Sequence, residues 1–264
     1  GYEPPVEPHR GLGATVSRFD RREEGQLDLD ALEAALTDET AIVTITNRHN
    51  PSGALADERT LTEAARIAAS RGAPLLVDEA YAPFVTDERE GPFGGPTAAH
   101  LENTVVTGSL TKFFGLGDLR IGWLVGPSSF VERARRVAYH LPDVAGPSRK
   151  LAARALYAGD ELVSERRKRV TANHRLLSEF VEDREDLAGT VHDGATFAFV
   201  EPTAASVGRV VETAWEEGVL VVPGRFFDDP NCIRLGAGGP PTDVEVALGR
   251  FAAVLTDVRR TSNS

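Results

Sequence analysis

Short apolar runs alternate with helical patterns through the first half of this 264-residue chain, and that alternation restricts it to an α/β fold. Residues 41–46 form a short β-branched run of the kind expected for a buried parallel strand. The polar turn 47–53 follows, and then a helical pattern places Leu61, Ala64, Ala65 and Ala68 on one face. Thr60 and Glu63 have the spacing of a capping box near its start, and Gly72 stands just past its end. Further strands are expected at 74–78, 103–107 and 121–125, the last preceding a helix over 129–139.

From 150 to 188 the pattern is helical and heavily charged, with 165–169 as a solvated face. After Gly194, short strands at 197–200, 220–222 and 232–235 interleave with helices near 205–216 and 242–256. The reading is therefore a large domain over 1–143 with a mostly parallel sheet, and a smaller α/β domain over 144–264.

Composition excludes several classes of function. A net charge of −11 argues against binding nucleic acid through a general basic surface. No stretch approaches the roughly 20 apolar residues of a membrane span, so no membrane contact is expected. Residues 1–5 lack the basic and apolar regions of a signal peptide. The single cysteine, Cys232, cannot form an internal disulfide and fits a reducing cytoplasm. Three lysines, Lys112, Lys150 and Lys168, accompany 26 arginines, a usage that a salt-adapted or a GC-rich source would each produce. The chain has no methionine and begins with glycine, which points to a fragment or a processed form.

Three segments carry chemistry. In the first, Ser109, Thr111, Lys112 and Arg120 lie among glycines directly after a strand. Hydroxyls and a guanidinium there suit a phosphate dianion, and a lysine of lowered pKa can form an imine with an aldehyde. The plain alternative is a surface loop with one solvated lysine. In the second, Asp78 ends a strand and Tyr81 follows. Open α/β sheets place ligand contacts at such strand ends. An acid buried there needs a cationic partner, and a pyridinium N–H is one. A loop-stabilising aspartate is the alternative. The third segment, Asn50-Pro51-Ser52-Gly53, is by itself a common turn and gains meaning from its order with the other two.

Together these segments resemble the signature of fold-type I pyridoxal-phosphate (PLP) enzymes, specifically the class I/II aminotransferases. The likeness continues in Val221-Val222-Pro223-Gly224-Arg225-Phe226-Phe227 and Ile233-Arg234-Leu235-Gly236, so that it spans about residues 1–256. The resemblance implies a PLP cofactor held as an imine on Lys112, which would also shuttle the substrate proton. It implies Asp78 on the pyridine nitrogen, and Asn50 and Tyr81 as donors to the phenolic oxygen. Ser109, Thr111 and Arg120 would hold the phosphate, and Arg234, with Asn50 nearby, the substrate carboxylate. Thr111 stands where many relatives have serine, and either hydroxyl can donate. A cis peptide at Asn50-Pro51 is expected on the same ground.

The implied function is transfer of an amino group between an L-amino acid and a 2-oxo acid by a cytoplasmic homodimer, with aspartate or a broad range favoured. PLP makes every bond at Cα labile, so threonine-phosphate decarboxylase-like and histidinol-phosphate aminotransferase-like readings stay open. Relatives also carry an N-terminal portion with a phosphate-binding loop and a ring-stacking aromatic, which this chain lacks. Weak or no catalysis is therefore expected from residues 1–264 alone, and an inactive fragment or interaction module is a further reading. The six histidines show no metal-ligand spacing, and neither glycine-rich loop, 91–95 or 236–239, has the context of a dinucleotide or P-loop site.

Overall fold

A computed structural model describes residues 6–87 and 91–262. In chain order its regular elements begin with α1 (Glu7–Gly11), α2 (Leu29–Ala35), β1 (Val43–Thr46), α3 (Glu58–Ala69), β2 (Leu75–Asp78), β3 (Thr104–Ser109) and β4 (Gly122–Val125). They continue with α4 (Ser128–Ala138), α5 (Gly146–Tyr157), α6 (Gly159–Glu182), β5 (Leu187–Ala188), β6 (Phe197–Pro202), α7 (Val207–Glu216), β7 (Val222–Pro223), β8 (Ile233–Gly236) and α8 (Pro241–Ser262). The chain divides into two compact units. One comprises Arg18–His49 and Leu55–Arg167. The other comprises Asn50–Ala54 with the described parts of Gly1–Ser17 and Lys168–Ser264.

In the first unit the strand order is β1-β2-β3-β4. The first three strands are parallel, with Thr46 opposite Asp78 and Asp78 opposite Thr107. The fourth runs antiparallel to β3. Val43, Ile45, Leu75, Val77 and Val106 point into a core with Leu32, Leu61, Ala64, Ala65, Ile67 and Ala68. The apolar stripe of α3 thus covers one sheet face. Strand β1 is shorter than the sequence suggests and is not buried throughout, since Thr44 is exposed. Successive side chains point to opposite faces of the sheet, so only alternate ones reach the core, as in β2.

The start of α3 corrects the capping reading. Asp57, not Thr60, is the N-cap, and its carboxylate accepts from the Thr60 N–H at 2.8 Å. Glu63 pairs with Arg66 instead. A short acidic side chain one turn earlier satisfies the open N–H groups at the positive end of the helix. Gly72 takes a left-handed φ of +72° just past the helix, as its position suggests.

Between β3 and β4 the fit depends on glycine. Gly108 faces Trp123 across the pair, and a Cβ there would stand 2.6 Å from the indole. Further along, the expected helical stretch 150–188 resolves into two helices with a break at Ala158, and residues 187–188 are strand. The units divide inside α6, between Arg167 and Lys168. The reason is local. Arg167 donates to the carbonyls of Asp87, Phe93 and Gly94 at 2.7, 3.1 and 3.3 Å, tying the start of α6 to the first unit.

The second unit has strand order β5-β6-β8-β7, all antiparallel. Its core gathers Leu177 and Val181 of α6, Ala198 and Val200 of β6, Val210 of α7, Ile233 and Leu235 of β8, and Phe251, Val254 and Val258 of α8. Leu220 lies outside the strand expected at 220–222 and is exposed. Among the described residues no helix is long and apolar enough to cross a membrane.

Two glycines give opposite expectations. Gly108→Ala should lower unfolding free energy by about 1–3 kcal/mol through overpacking against Trp123. Gly249, exposed within α8 and with nothing near its missing Cβ, should gain about 0.5–1 kcal/mol on replacement by Ala. Urea unfolding of both variants checks the contrast.

Candidate active site

The ends of β2 and β3 bring the first group of residues together. Asp78 closes β2, half-buried, and its Oδ1 accepts from the Ala80 N–H at 3.1 Å and the Thr107 hydroxyl at 3.5 Å. Burial pushes its carboxyl above the usual range, while the Ala80 N–H, the Thr107 hydroxyl and the Lys112 ammonium pull the other way. Thr107 and Ser109 alternate with buried Val106 and Gly108, so the two hydroxyls stand on one face of β3.

Beyond β3 the chain turns sharply. Leu110 N–H donates to Ile121 O at 3.1 Å, Leu116 N–H to Leu110 O at 3.0 Å, and Gly115 N–H to Lys112 O at 3.1 Å. These bonds close the turn on which Lys112 stands. Phe113 and Phe114 anchor it from below, both buried. Their rings join a continuous aromatic chain: Tyr81 to Phe84 at 5.6 Å, Phe84 to Phe113 at 5.6 Å, Phe113 to Phe114 at 5.2 Å, Phe114 to Phe93 at 4.8 Å and Phe93 to Trp123 at 5.5 Å. Each tilted or edge-on pair is worth about 0.5–1.5 kcal/mol beyond its buried area.

The chain of rings fixes Lys112 and Tyr81 in relation to one another. Lys112 Nζ stands 5.5 Å from the centre of the Tyr81 ring. The Lys112 side chain is exposed. Ser109 Oγ accepts from the Thr111 N–H at 3.4 Å. Arg120 takes a left-handed conformation, φ +54°, and is exposed, with one contact to Gly117 O at 3.4 Å. A non-glycine residue held there is often part of a ligand site. Asp78, Tyr81, Ser109, Thr111, Lys112 and Arg120 thus share one unit.

Asn50 and Arg234 belong to the other unit. The Asn50–Pro51 peptide is cis, as expected, and the Asn47–Arg48 peptide, for which no expectation was set, is also cis. Asn50 is buried, and its Oδ1 has no hydrogen-bond partner among the described residues. Arg234 lies on β8, half-buried, with Cζ 4.6 Å from the centre of the Phe197 ring. Its Nε is buried without a hydrogen bond, and it has no carboxylate partner among the described residues.

Sequence reasoning missed three contributors. Thr107 is signalled only by sharing a face with Ser109. Arg48, almost fully buried, donates to Phe84 O at 2.7 Å and steadies the segment carrying Tyr81. Phe197 had no signal, because its place beneath Arg234 depends on cross-strand register.

Comparison with known proteins agrees with the geometry. The model of the family "Aminotransferase class I and II" matches residues 8–251. The chain is 33% identical over 249 residues to capreomycidine synthase of Streptomyces vinaceus, covering 92% of this chain and 63% of that protein. It is 31% identical to the histidinol-phosphate aminotransferase of Rhodospirillum centenum, covering 83% of this chain and 60% of that one. The chain therefore spans about three-fifths of the length of these curated relatives. Its fold matches a solved PLP-dependent aminotransferase of Streptococcus suis with TM-score 0.86 at 24% identity, over 96% of this chain and 68% of that one. A variant aspartate aminotransferase of Thermus thermophilus matches with TM-score 0.81 at 25% identity, over 96% and 67%.

Next to Asp78, Glu79 has a different task. It is buried, and its carboxylate accepts from Ala98 N–H at 2.6 Å and Thr97 Oγ1 at 2.8 Å, pinning that loop. Burial raises its pKa from 4.5 to about 7 against the pull of both bonds. Within that window the folded protein keeps a proton that the unfolded chain releases. Stability should therefore fall as pH rises from 5 to 8, by about 3 kcal/mol from this group. Glu79→Gln keeps the shape and should remove that component. Urea unfolding of both proteins at the two pH values checks it, and parallel pH dependences would reject the assignment.

Proposed function

Since the chain belongs to the class I and II aminotransferases, we propose that the protein moves an amino group between an L-α-amino acid and a 2-oxo acid, with pyridoxal phosphate as cofactor. The observation that carries the reading is the convergence of Lys112, Tyr81 and Asp78 at the ends of β2 and β3. A lysine, a phenol and a half-buried carboxylate in one place form an unusual set for a solvated loop.

The donor set fits the cofactor. Both contacts of Asp78 fall on Oδ1, so Oδ2 is available to a cationic N–H, which would relieve the burial of the acid. Ser109, Thr111 and Arg120 offer two hydroxyls and a guanidinium to a phosphate. When bound, the group supplies an aldehyde carbon for covalent attachment and an electron sink for the bond broken at the substrate Cα.

In this reading Lys112 would hold the cofactor through Nζ and would also serve as the proton carrier at the substrate Cα. Asp78 keeps the ring nitrogen protonated. Tyr81 would donate to the phenolic oxygen. Arg234, lacking an ion-pair partner in its own unit, would take the α-carboxylate, a task that suits a guanidinium. The same residues serve both half-reactions, since amino donor and oxo acceptor share the α-carboxylate. Aspartate heads the substrate screen, with a broad range behind it.

The active form is proposed to be a homodimer, supported by the exposed apolar side chains Val137, Tyr139, Leu141, Leu151 and Tyr157. The 33% identity to capreomycidine synthase favours one second reading, a synthase rather than an aminotransferase on the same scaffold.

The test is spectroscopic and chemical. Added PLP should give a visible absorbance band, and borohydride should fix the cofactor on Lys112 alone. Adducts spread over Lys150 and Lys168 would defeat the assignment. Lys112→Ala should lose the band and at least about 100-fold in kcat, the scale expected for a positioned proton carrier. Asp78→Asn should keep the lysine adduct but lower kcat steeply. Product analysis separates the two readings, because an aminotransferase releases one equivalent of 2-oxo acid per amino group transferred.

A further inference from the structure

Arg234 poses a physical problem. A guanidinium that is to receive a substrate carboxylate must be held still without being neutralised by a carboxylate of its own protein. Hydrogen bonds to neighbouring carbonyls would fix it, but they would consume the donors that the ligand needs. An aromatic face avoids both costs. It attracts the cation from below and leaves the in-plane N–H groups free at the edge.

The structure offers that arrangement. Arg234 pairs with Phe199 across β6 and β8, while Phe197, two residues earlier, is its diagonal neighbour on the same face. The guanidinium stacks over the Phe197 ring at 4.6 Å, with Nε making no hydrogen bond. The ring itself cannot wander, since Phe197 is 2% exposed.

Four hydrogen bonds, all within the same unit, hold the start of β6 and the chain beyond β8. Asn173 of α6, 1% exposed, donates from Nδ2 to Ala237 O and Gly239 O, each at 2.8 Å, fixing the chain just beyond β8. His174 Nδ1 meets Ala195 O at 3.0 Å, and Ala237 N–H donates to Thr196 O at 2.7 Å. Gly53, at φ +85°, lets its turn close on the same place: a Cβ there would stand 2.9 Å from Ala195 Cβ and 3.3 Å from Phe197 O. His174 and the Gly53 turn therefore meet at residues 195–197, while Asn173 holds the chain beyond β8, which is tied to Thr196 through the Ala237 N–H.

We propose that Phe197 is the positioning residue for Arg234, setting where the substrate-carboxylate guanidinium stands by presenting its ring face. The proposal rests on the reading of Arg234 as the carboxylate clamp. It assigns to Phe197 no contact with substrate and no part in proton transfer. Its effect is on carboxylate binding, common to the amino acid and the 2-oxo acid.

The test uses the full-length enzyme loaded with PLP, with Phe197 replaced in turn by mono-, di- and trifluorophenylalanine. Fluorination weakens the negative ring face while nearly preserving size, so the fold is retained where Phe197→Leu would open a cavity. KM for both substrates should rise stepwise with each fluorine, reaching about 10-fold at three, the scale of losing a partly buried cation–π contact. The kcat and the visible band of the Lys112-bound cofactor should stay constant. A KM that is flat across the series would overturn the proposal. Arg234→Ala, measured in parallel, separates the two possible failures. If it raises KM while the fluorine series is flat, only the role of Phe197 falls. If it leaves KM unchanged, the carboxylate role of Arg234 falls and the proposal with it.

Discussion

Parallel pairing of β1, β2 and β3 is the constraint on which the rest of the first unit depends. In-register parallel strands end together, so Thr46, Asp78 and Thr107 stand side by side. The residues proposed for chemistry in this unit then leave the sheet from one end. A one-residue slip of β2 would turn Asp78 towards the apolar face and Val77 away from it, and the core of Val43, Ile45, Leu75 and Val77 forbids that slip. The hydrophobic core thus acts on the site through register rather than by contact.

Rigidity at the strand ends comes from a second source. The turn carrying Lys112 is closed by its own backbone hydrogen bonds and anchored further by Phe113 and Phe114 in the aromatic chain from Tyr81 to Trp123. Glycine at position 108 admits the last ring of that chain. The second unit solves the corresponding problem with a cation over a ring and with side-chain amides on carbonyls. Exposed Lys112 and Arg120, beside a buried and well-braced framework, suit groups that must remain available to ligands.

Legibility in the sequence differed from element to element. Strand ends bearing Asp78 and Ser109, the turn at Asn50 and the helix over 58–69 could be read because each has a local signal: an apolar run broken by a polar residue, an Asn-Pro-Ser-Gly turn, a stripe of alanines and leucines. The cap of α3 was misplaced by one turn because two candidate caps, Asp57 and Thr60, both precede the apolar stripe. The direction of β4 could not be read, since a short strand after a tight turn has the same pattern whether it runs parallel or antiparallel. The division inside α6 could not be read either, because it follows from Arg167 reaching carbonyls more than seventy residues away.

By itself, the sequence determined the fold class, the family resemblance and which residues are proposed as reactive, because these depend on residue type and short spacing along the chain. Only the tertiary structure decided that Thr107 braces Asp78, that Arg48 steadies the Tyr81 segment and that Phe197 lies beneath Arg234. These contacts join residues far apart in the chain, and which side chains meet is set by strand register and core packing. A linear pattern specifies what each element is, whereas the alignment of one element against another is fixed only when both bury their apolar faces together.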